Sequence, residues 1–383
     1  MINVIGYHTT KFGEQWNKSL FDLISEAIHG VIKEMKIDKE EINAVFFGNM
    51  LAGILENNVH GGSKISEILK THVPMYRVEA ACASGGLAFN LACQYLNANK
   101  NSTVLVVGGE KMTDYPTPKV ITALSAAASG EEQEAGLTFP GLYAMLARIY
   151  LHTYGYTEEH LAAVSVKNHF HGTFNDKAQF QKEISIEDVL KSPYIADPLK
   201  VLDASPISDG ASAILVTNNR HIAHRIDKKM TVLSSQAATD SISLSGRAYL
   251  DRLDSTVQAG NKAFSDAKLS PIDISVAEVH DCFSIAEILA MEDLGFFKKG
   301  EGGERMKNYE TMFGKTNGLV VNTSGGLKAS GHPVGATGVK QIGEVFLQLT
   351  QQAGKRQVKK IKYGLTHNVG GSGGTAVVNI FSS

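Results

Sequence analysis

The feature of this sequence that most limits its possible folds is an internal repeat that relates its two halves. Residues 35–49 align without gaps on residues 267–281, and in both segments a helical pattern is followed by a short apolar strand. Each half then continues with a turn rich in small residues, an apolar helix, an apolar strand and a Gly-Gly pair, at 108–109 and at 370–371. Two copies of one strand–helix unit indicate a duplicated α/β fold.

The duplication predicts where a ligand would bind. Two similar halves pack around a pseudo-twofold axis, and ligands in open α/β sheets bind beyond the carboxyl ends of the strands. We therefore expect four segments at corresponding strand ends to converge. They are Cys82, residues 280–282, the Gly-rich turn with His332, and residues 367–370.

The regular alternation stops after residue 111 and resumes after residue 206. Helical patterns in between lie among prolines, histidines and aromatic residues. A segment of this kind is typically a lid or a substrate-binding insertion, although a purely structural helical subdomain would have the same pattern. Residues 208–211, which lead into the next strand, are interpreted as a plain turn with an Asx-type side chain.

We predict three regions from these patterns. Residues 1–111 together with 207–235 form the first half of the duplicated fold. Residues 112–206 form the inserted segment, and residues 236–383 form the second half.

Cys82 lies in a predicted strand-to-helix turn made of small residues. Residues 78–86 read Val-Glu-Ala-Ala-Cys-Ala-Ser-Gly-Gly, and an apolar helical pattern follows. Small residues allow a sharp turn, and a cysteine at the start of a helix is favoured as a thiolate by the peptide dipoles. The pattern suits a nucleophile, but a buried, inert cysteine in a tight turn would look the same. Cys93, on the same predicted helix, is interpreted as a core residue.

Other residues with useful chemistry stand at strand ends in the second half. His280 and Cys282 follow an apolar strand, and His332 lies between a glycine and a proline. Each histidine alone suits a structural, hydrogen-bonded role. Together with Cys82 they supply a thiolate, a base and a second thiol for proton transfer. The loop of residues 368–374 could present N–H groups to an oxyanion, and it lacks the Gly-Lys-Ser/Thr of a phosphate loop.

Composition excludes several classes of function. The chain has 383 residues, 43% hydrophobic, and a formal net charge of −2, which argues against nucleic acid as a partner. There is no 18-residue apolar run, so no membrane-spanning helix is expected. The three cysteines cannot form a disulfide framework and lack metal-ligand spacing. We expect a cytoplasmic protein without a signal peptide or a bound metal.

Three motifs, in order along nearly the whole chain, resemble those of the thiolases. They are Ala-Cys-Ala-Ser-Gly at 81–85, the Asn-Thr-Ser-Gly-Gly and Gly-His-Pro motifs within 322–333, and the final Gly-rich motif. His-Asp-Cys-Phe at 280–283 is similar to the subgroup of sterol-carrier-type and archaeal acetoacetyl-CoA thiolases. Most thiolases have Asn-Glu-Ala-Phe there and a second cysteine where this chain has Asn368. The resemblance implies that Cys282 supplies the second thiol instead.

The resemblance implies a layered, duplicated α/β/α/β/α fold with an inserted, mainly helical loop domain that holds CoA. It also implies an acetyl-CoA C-acetyltransferase that condenses two acetyl-CoA molecules into acetoacetyl-CoA through an acyl-enzyme, and the reverse thiolysis. His332 would accept the Cys82 proton, and the backbone N–H groups of Cys82 and Gly370 would form the oxyanion hole. Cys282 would remove the α-proton, and His332 and His280 would hold the enolate oxygen.

The same resemblance implies CoA thioesters as substrates, no tightly bound cofactor, and a homodimer or homotetramer. It also raises a complex with hydroxymethylglutaryl-CoA synthase and an OB-fold protein. Three alternatives stay open at this point. They are a thiolase for longer or branched 3-ketoacyl-CoA, a related condensing enzyme such as a ketoacyl synthase, and a non-catalytic scaffold.

Overall fold

The computed structural model describes residues 1–316 and 318–383. The strands in these residues are β1 (Asn3–Thr9), β2 (Ala44–Gly48), β3 (Met75–Val78), β4 (Thr103–Glu110), β5 (Tyr194–Ala196), β6 (Leu199–Lys200), β7 (Gly210–Thr217), β8 (Met230–Thr239), β9 (Val276–Glu278), β10 (Val320–Val321), β11 (Tyr363–Gly370) and β12 (Thr375–Ser382). The helices are α1 (Leu20–Met35), α2 (Ala52–Leu55), α3 (Gly61–Leu69), α4 (Ser84–Ala98), α5 (Thr117–Ser125), α6 (Gly130–Glu134), α7 (Phe139–Tyr154), α8 (Glu158–Gly172), α9 (Ile186–Lys191), α10 (Arg220–Arg225), α11 (Asp254–Ala267), α12 (Ser284–Asp293), α13 (Gly302–Lys307), α14 (Gly326–Ser330) and α15 (Val334–Leu349).

Ten strands form one mixed sheet whose order shows the duplication. The order is β10-β9-β11-β12-β8-β1-β7-β4-β2-β3, and β8 and β1 pair antiparallel in the middle. Reading outward from that pair, β1, β7, β4, β2 and β3 correspond to β8, β12, β11, β9 and β10. In each half the three outer strands are parallel and the other pairings are antiparallel. The predicted duplicated α/β fold is confirmed.

The gapless repeat in the sequence is visible residue by residue. Helix α1 ends at Met35 and α11 ends at Ala267, the aligned position. The next residue in each copy, Lys36 or Lys268, takes a left-handed conformation with φ of 51° or 55°. A short 3-10 turn and then a strand, β2 or β9, follow in both copies. Both copies therefore end the helix with a left-handed residue and continue through the same kind of turn into a strand.

The helices form three layers around the two halves of the sheet. Helix α1 packs on one outer face against β1, β4 and β7, and α11 packs on the other against β8 and β12. Helices α4 and α15 lie between the half-sheets, where Phe89, Val339 and Ile342 share a core with Val106 of β4. The predicted α/β/α/β/α layering is confirmed. Among the residues that the structure describes, no helix is long and apolar enough to cross a membrane.

The two central helices touch through glycine. A Cβ atom added at Gly85 would lie 2.6 Å from the carbonyl oxygen of Gly335, and one at Gly338 would lie 2.2 Å from the backbone nitrogen of Gly86. Such distances leave no space for any side chain, so the two backbones are in direct contact. Each helix starts just after a residue with predicted chemistry, so this contact sets how closely those two residues approach.

The inserted segment contains α5 to α9 and the small β5–β6 ladder. Its two ends meet at a buried ion pair, in which Lys111 Nζ lies 2.7 Å from an Asp209 carboxylate oxygen. Asp209 also accepts hydrogen bonds from the backbone N–H groups of Met112 and Thr113, at 2.7 and 2.9 Å. The residue that the sequence presents as part of a plain turn therefore joins the exit and the return of the insertion.

The glycine contact between α4 and α15 leads to a stability prediction. We expect Gly338→Ala to lower the free energy of unfolding by at least about 2 kcal/mol, because the added methyl group overpacks a backbone contact. Gly130→Ala is the matched control, since its Cβ would meet nothing within 4 Å. Urea unfolding of both variants is the measurement. Equal stabilities would show that the two helices can separate at no cost.

Candidate active site

Cys82 lies in a strained turn between β3 and α4. The residue before it, Ala81, has φ of 49°, a conformation that is unfavourable for a residue with a side chain. Ser84 stabilises the turn, because its hydroxyl donates to the Ala81 carbonyl at 2.6 Å and accepts from the Ala80 N–H at 3.0 Å. Among the small residues of this turn it is Ala81 that carries the strain, whereas the glycines that follow pack against α15.

One cysteine and two histidines from different halves of the chain come together. The sulfur of Cys82 and a ring nitrogen each of His280 and His332 all lie within 4.8 Å of one another. The two imidazole rings are 5.2 Å apart between centroids and nearly perpendicular, at 79°. Cys82 follows β3 in the first half, whereas both histidines follow strands or turns of the second half.

A mostly apolar cavity of about 190 Å³ opens onto these residues. Its reactive or polar lining comes from Cys82, Cys282, His332 and the backbone around Gly371. Most of the remaining wall is contributed by the inserted segment, namely Met112, Thr117, Ile121, Leu124, Phe139, Pro140, Tyr143, Ile195, Ala204, Ser205 and Pro206. Both cysteine thiols therefore face one cavity, and the insertion encloses it.

Cys282 is held by the segment around it. The buried carboxylate of Asp281 accepts hydrogen bonds from the Leu327 N–H and from Asn168 Nδ2, both at 2.7 Å. The Cys282 carbonyl accepts the Ser205 N–H at 2.8 Å. Asp281 and Cys282 are thus held by contacts from both the second half and the insertion. These contacts leave the Cys282 thiol little freedom to move.

Tyr143 of the insertion links the two thiol-bearing regions. Its hydroxyl donates to the carbonyl oxygen of Gly371 at 3.1 Å and lies near enough to the Cys282 thiol to affect its pKa. Burial raises the pKa of Cys282 to about 12, and the Tyr143 contact opposes this. At neutral pH Cys282 is therefore a thiol, and once deprotonated it is a strong base.

Both histidines are neutral in this environment. Burial, and secondarily the charge of Lys340, lowers the pKa of His332 to about 3. Burial and the neighbouring rings of His332 and His367 also hold the pKa of His280 well below its usual value. In the described part of the chain neither Nε2 atom has a hydrogen-bond partner, although both are buried. Each ring therefore has one nitrogen available to a ligand.

His332 is oriented by its main chain and by its other ring nitrogen. Its N–H donates to Ser208 Oγ at 3.0 Å, and its Nδ1 lies 2.7 Å from Thr337 Oγ1. The Thr337 hydroxyl donates its proton to the Pro333 carbonyl oxygen at 3.1 Å. The Thr337 oxygen can therefore accept a hydrogen bond from the protonated Nδ1 of His332. In that arrangement Nε2 carries the lone pair of a base.

The electrostatics of Cys82 differ from the sequence-based expectation. Burial raises the pKa of its thiol, and the nearby Cys282 adds to the effect. The N–H groups of Gly371 and of Cys82 itself lower it, but they do not compensate. The predicted preference for thiolate is therefore wrong for the resting site, because Cys82 precedes α4 in apolar surroundings without a neighbouring cation. The thiol–imidazole pair is neutral.

The glycines after β11 touch the turn that carries the cysteine. A Cβ at Gly370, the predicted oxyanion-hole residue, would lie 2.3 Å from the carbonyl oxygen of Ala80. The N–H of the next residue, Gly371, points to the Cys82 sulfur, and its φ is 62°. The loop thus presents the Gly371 N–H beside the thiol, and at Gly370 its backbone lies directly against the turn that carries Cys82.

Sequence reasoning assigned no side-chain role to three residues that contact this group. Asn368 donates to the Cys82 carbonyl at 3.0 Å and lies 3.2 Å from His280 Nδ1. The sequence places Asn368 in the strand-end segment 367–370 and at the position of the second cysteine of most thiolases, but it indicates no contact of the amide side chain. Nothing in the sequence pointed to Tyr143 or Thr337, because tyrosines and threonines are common and their partners are set by tertiary packing.

The fold and the site together define a thiolase-fold enzyme, and comparison with known proteins identifies the family. The chain belongs to the thiolase family. Residues 2–220 match the description "Thiolase, N-terminal domain", and residues 236–383 match "Thiolase C-terminal domain-like".

Individual relatives cover the whole chain. A protein named acetyl-CoA acetyltransferase from Methanothermobacter thermautotrophicus is 46% identical over 100% of this chain and 99% of its own length. One with the same name from Methanocaldococcus jannaschii is 41% identical over 100% and 98%. Rat sterol carrier protein 2 is 32% identical over 99% and 71%. The solved structure "Ltp2-ChsH2(DUF35) aldolase" has a TM-score of 0.83 at 20% identity, over 99% of this chain and 97% of that one.

The raised pKa of Cys82 predicts how the thiol reacts with iodoacetamide. We expect Cys82 to be alkylated before the buried Cys93, at a rate that rises about tenfold per pH unit and does not level off near the ordinary cysteine pKa of about 8.5. Peptide mass spectrometry across a pH series is the measurement, with Cys93→Ala as the control. A plateau below that pH would mean that the resting residue is a thiolate.

Proposed function

We propose that this protein is an acetyl-CoA C-acetyltransferase that condenses two acetyl-CoA molecules into acetoacetyl-CoA and CoA, and that also catalyses the reverse thiolysis. The observation that carries the proposal is the position of two thiols, Cys82 and Cys282, with the neutral imidazole of His332 around one apolar cavity. Two full-length archaeal relatives carry the name of this activity.

In the first step Cys82 takes up the acetyl group. As its sulfur attacks the thioester carbonyl, His332 accepts the thiol proton, so that Cys82 itself never has to exist as a free thiolate. The backbone N–H groups of Cys82 and Gly370 stabilise the oxyanion. When the tetrahedral intermediate collapses, the C–S bond to CoA breaks, the acetyl group stays on Cys82, and CoA leaves as a thiolate that needs a proton.

Cys282 connects the first step to the second. Its neutral thiol protonates the departing CoA, which turns Cys282 into a thiolate base of high intrinsic basicity. This thiolate then removes the α-proton of a second acetyl-CoA, while His280 and His332 hold the enolate oxygen. The enolate carbon attacks the acetyl group on Cys82 and forms the new C–C bond. The C–S bond to Cys82 then breaks, acetoacetyl-CoA is released, and His332 returns its proton to the Cys82 sulfur. Stabilising the enolate in place is necessary because an α-proton is far less acidic than a thiol.

The inserted segment is proposed to hold the CoA moiety. It supplies most of the cavity wall, and its two ends are joined by the pair of Lys111 and Asp209. We accordingly propose the division into residues 1–111 with 207–235, residues 112–206, and residues 236–383. Because the chain itself provides the nucleophile, the base and the oxyanion donors, the proposed reaction uses CoA thioesters as substrates and no tightly bound cofactor.

The proposed assembly is a homodimer or homotetramer. Strand β3 is an edge strand, and Tyr76 on it is 46% exposed. The exposed apolar side chains of Ile54, Val59 and Ile242 line a groove together with Arg77 of the same strand. An apolar patch beside an unpaired strand edge is typical of a protein interface. A larger complex with hydroxymethylglutaryl-CoA synthase and an OB-fold protein is also proposed from the family resemblance. The free cysteines suit a reducing, cytoplasmic compartment.

A thiolase acting on longer or branched 3-ketoacyl-CoA is the second candidate. The apolar side chains of Ile121, Leu124 and Ile207 on the cavity wall favour it, because they could contact an acyl chain. Comparing kcat/KM for thiolysis of acetoacetyl-CoA and of longer 3-ketoacyl-CoA substrates separates the two candidates.

Formation of an acetyl-enzyme tests the first step. After mixing with acetyl-CoA, we expect a single acetyl group on the Cys82 peptide by mass spectrometry. Cys82→Ala should abolish it, whereas Cys93→Ala, a core residue remote from the cavity, should retain it. An unmodified Cys82 peptide in the folded protein would refute the proposed chemistry and leave the scaffold alternative.

The second step is tested by removing the other thiol. Cys282→Ala should still form acetyl-enzyme but should lose condensation and α-proton exchange by about 10²–10⁴-fold, the usual contribution of a general base. Deuterium exchange of the acetyl methyl group, followed by mass spectrometry, is the measurement. Undiminished exchange would favour a condensing enzyme that does not use a second thiol.

A further inference from the structure

The orientation of the Asn368 side chain is determined by two backbone groups. Its Oδ1 accepts the Gly86 N–H at 3.1 Å, and its Nδ2 donates to the Cys82 carbonyl oxygen at 3.0 Å. A backbone N–H can only donate and a carbonyl oxygen can only accept. Exchanging the amide oxygen and nitrogen would therefore place two donors and two acceptors face to face, so only one orientation is compatible with the structure.

This orientation determines what faces His280. The second proton of Nδ2 points to His280 Nδ1 at 3.2 Å. An amide nitrogen is not an acceptor, so Nδ1 must offer its lone pair. Both side chains are 1% exposed, which leaves no room for solvent to replace this bond. A neutral His280 must then carry its proton on Nε2.

We propose that Asn368 is a positioning residue that holds His280 in the tautomer with the proton on Nε2. His280 is therefore a permanent hydrogen-bond donor, whereas His332, whose Nδ1 faces Thr337, keeps an Nε2 lone pair and acts as an acceptor until it receives a proton. The two adjacent imidazoles have opposite roles because their other nitrogens have different partners. The importance of this for enolate binding rests on the proposed function.

The unpartnered Nε2 atom of His280 shows where the donor is used. Leaving a buried N–H group without a partner is unfavourable, and in the part of the chain that the structure describes this atom has none. Its partner in the working enzyme is an oxygen atom with developing negative charge. A lone pair at the same position would repel that oxygen, so an incorrect tautomer would oppose enolate formation.

The tautomer of His280 also decides whether the cluster of Cys82, His280 and His332 suits a metal ion or a polar substrate. Their donor atoms lie within 4.8 Å of one another, a separation that could suit a metal ion. A nitrogen that carries a proton has no lone pair for a metal, and Asn368 keeps that proton on His280. The cluster is therefore arranged for a polar substrate and is a poor ligand set for a cation.

Histidine-selective ¹⁵N NMR of the full-length protein near neutral pH tests the proposal without any substrate. The resonances of His280 are assigned by their loss in His280→Gln, and those of His332 by their loss in His332→Gln. We expect a protonated, pyrrole-type Nε2 and a pyridine-type Nδ1 in His280, and the reverse in His332. A pyridine-type Nε2 in His280 of the unmodified protein would overturn the proposal, whether or not any variant folds.

Variants then test whether Asn368 is responsible. Asn368→Asp replaces the donor with an acceptor, so the His280 tautomer should reverse while that of His332 stays the same. Asn368→Ala should give a mixture of tautomers in His280. Asn99→Asp, the same change at an exposed position after α4, should alter neither ring. A folded Asn368→Asp or Asn368→Ala protein that keeps a fully Nε2-protonated His280 would contradict the role of Asn368.

The kinetic readout distinguishes this proposal from the proposed function. Asn368→Asp should lower kcat for condensation by about 10²–10³-fold with KM little changed, as for the loss of one oxyanion donor. An unmodified protein with the expected tautomers but without acetyl transfer would refute the function and leave the role of Asn368 intact. Full kcat in an Asn368→Asp protein with reversed tautomers would show that the donor at His280 is not used.

Discussion

The direct contact between the backbones of α4 and α15 is the constraint on which the site depends. Glycines at the crossing, Gly85 opposite Gly335 and Gly86 opposite Gly338, let the two helices approach until no side chain fits between them. Helix α4 follows Cys82, and helix α15 follows His332. The short distance between the two helices therefore also brings the thiol and the imidazole close together. The duplication places the two central helices in equivalent positions, and packing between equivalent elements is the simplest way to bring residues from both halves to one point. A substitution in the helix crossing would thus affect stability and geometry together.

The chemistry of the site follows from the burial of two thiols and two imidazoles in their neutral forms. Cys82 and Cys282 are thiols, and His280 and His332 are neutral imidazoles, because removing these groups from water disfavours their charged forms. None of these four side chains has to hold a charge in the resting state. In the proposed mechanism charge appears only when the substrate reacts. Backbone N–H groups and an imidazole N–H in surroundings of low polarity would stabilise that oxyanion more strongly than water-exposed groups would. The amide of Asn368 belongs to this arrangement, since it determines which of these groups donates.

The inserted segment completes the site by packing on the second half of the fold. Asn168 of α8 donates to the carboxylate of Asp281, the residue before Cys282, and Tyr143 of α7 contacts both Gly371 and the Cys282 thiol. The insertion leaves and re-enters the first half, but its functional contacts are with the second. The insertion therefore covers a cavity that lies between the two equivalent halves. For this reason most of the apolar cavity wall comes from residues 112–206.

The sequence by itself determined the duplication, the class of fold and the motifs whose residues Cys82, Cys282 and His332 line one cavity. These features are local or periodic, since the copies at 35–49 and 267–281 share their turn chemistry and the motifs around Cys82 and His332 are continuous in the chain. Only the tertiary structure decided the protonation state of Cys82, because desolvation depends on what packs around a thiol and not on its neighbours in sequence. Tertiary structure also decided the role of Asn368, whose partners Gly86 and His280 lie 282 and 88 residues away. The hydrogen bond to Gly86 exists only after both halves have packed, and the one to His280 only after distant parts of the second half have packed, so no local pattern can encode either.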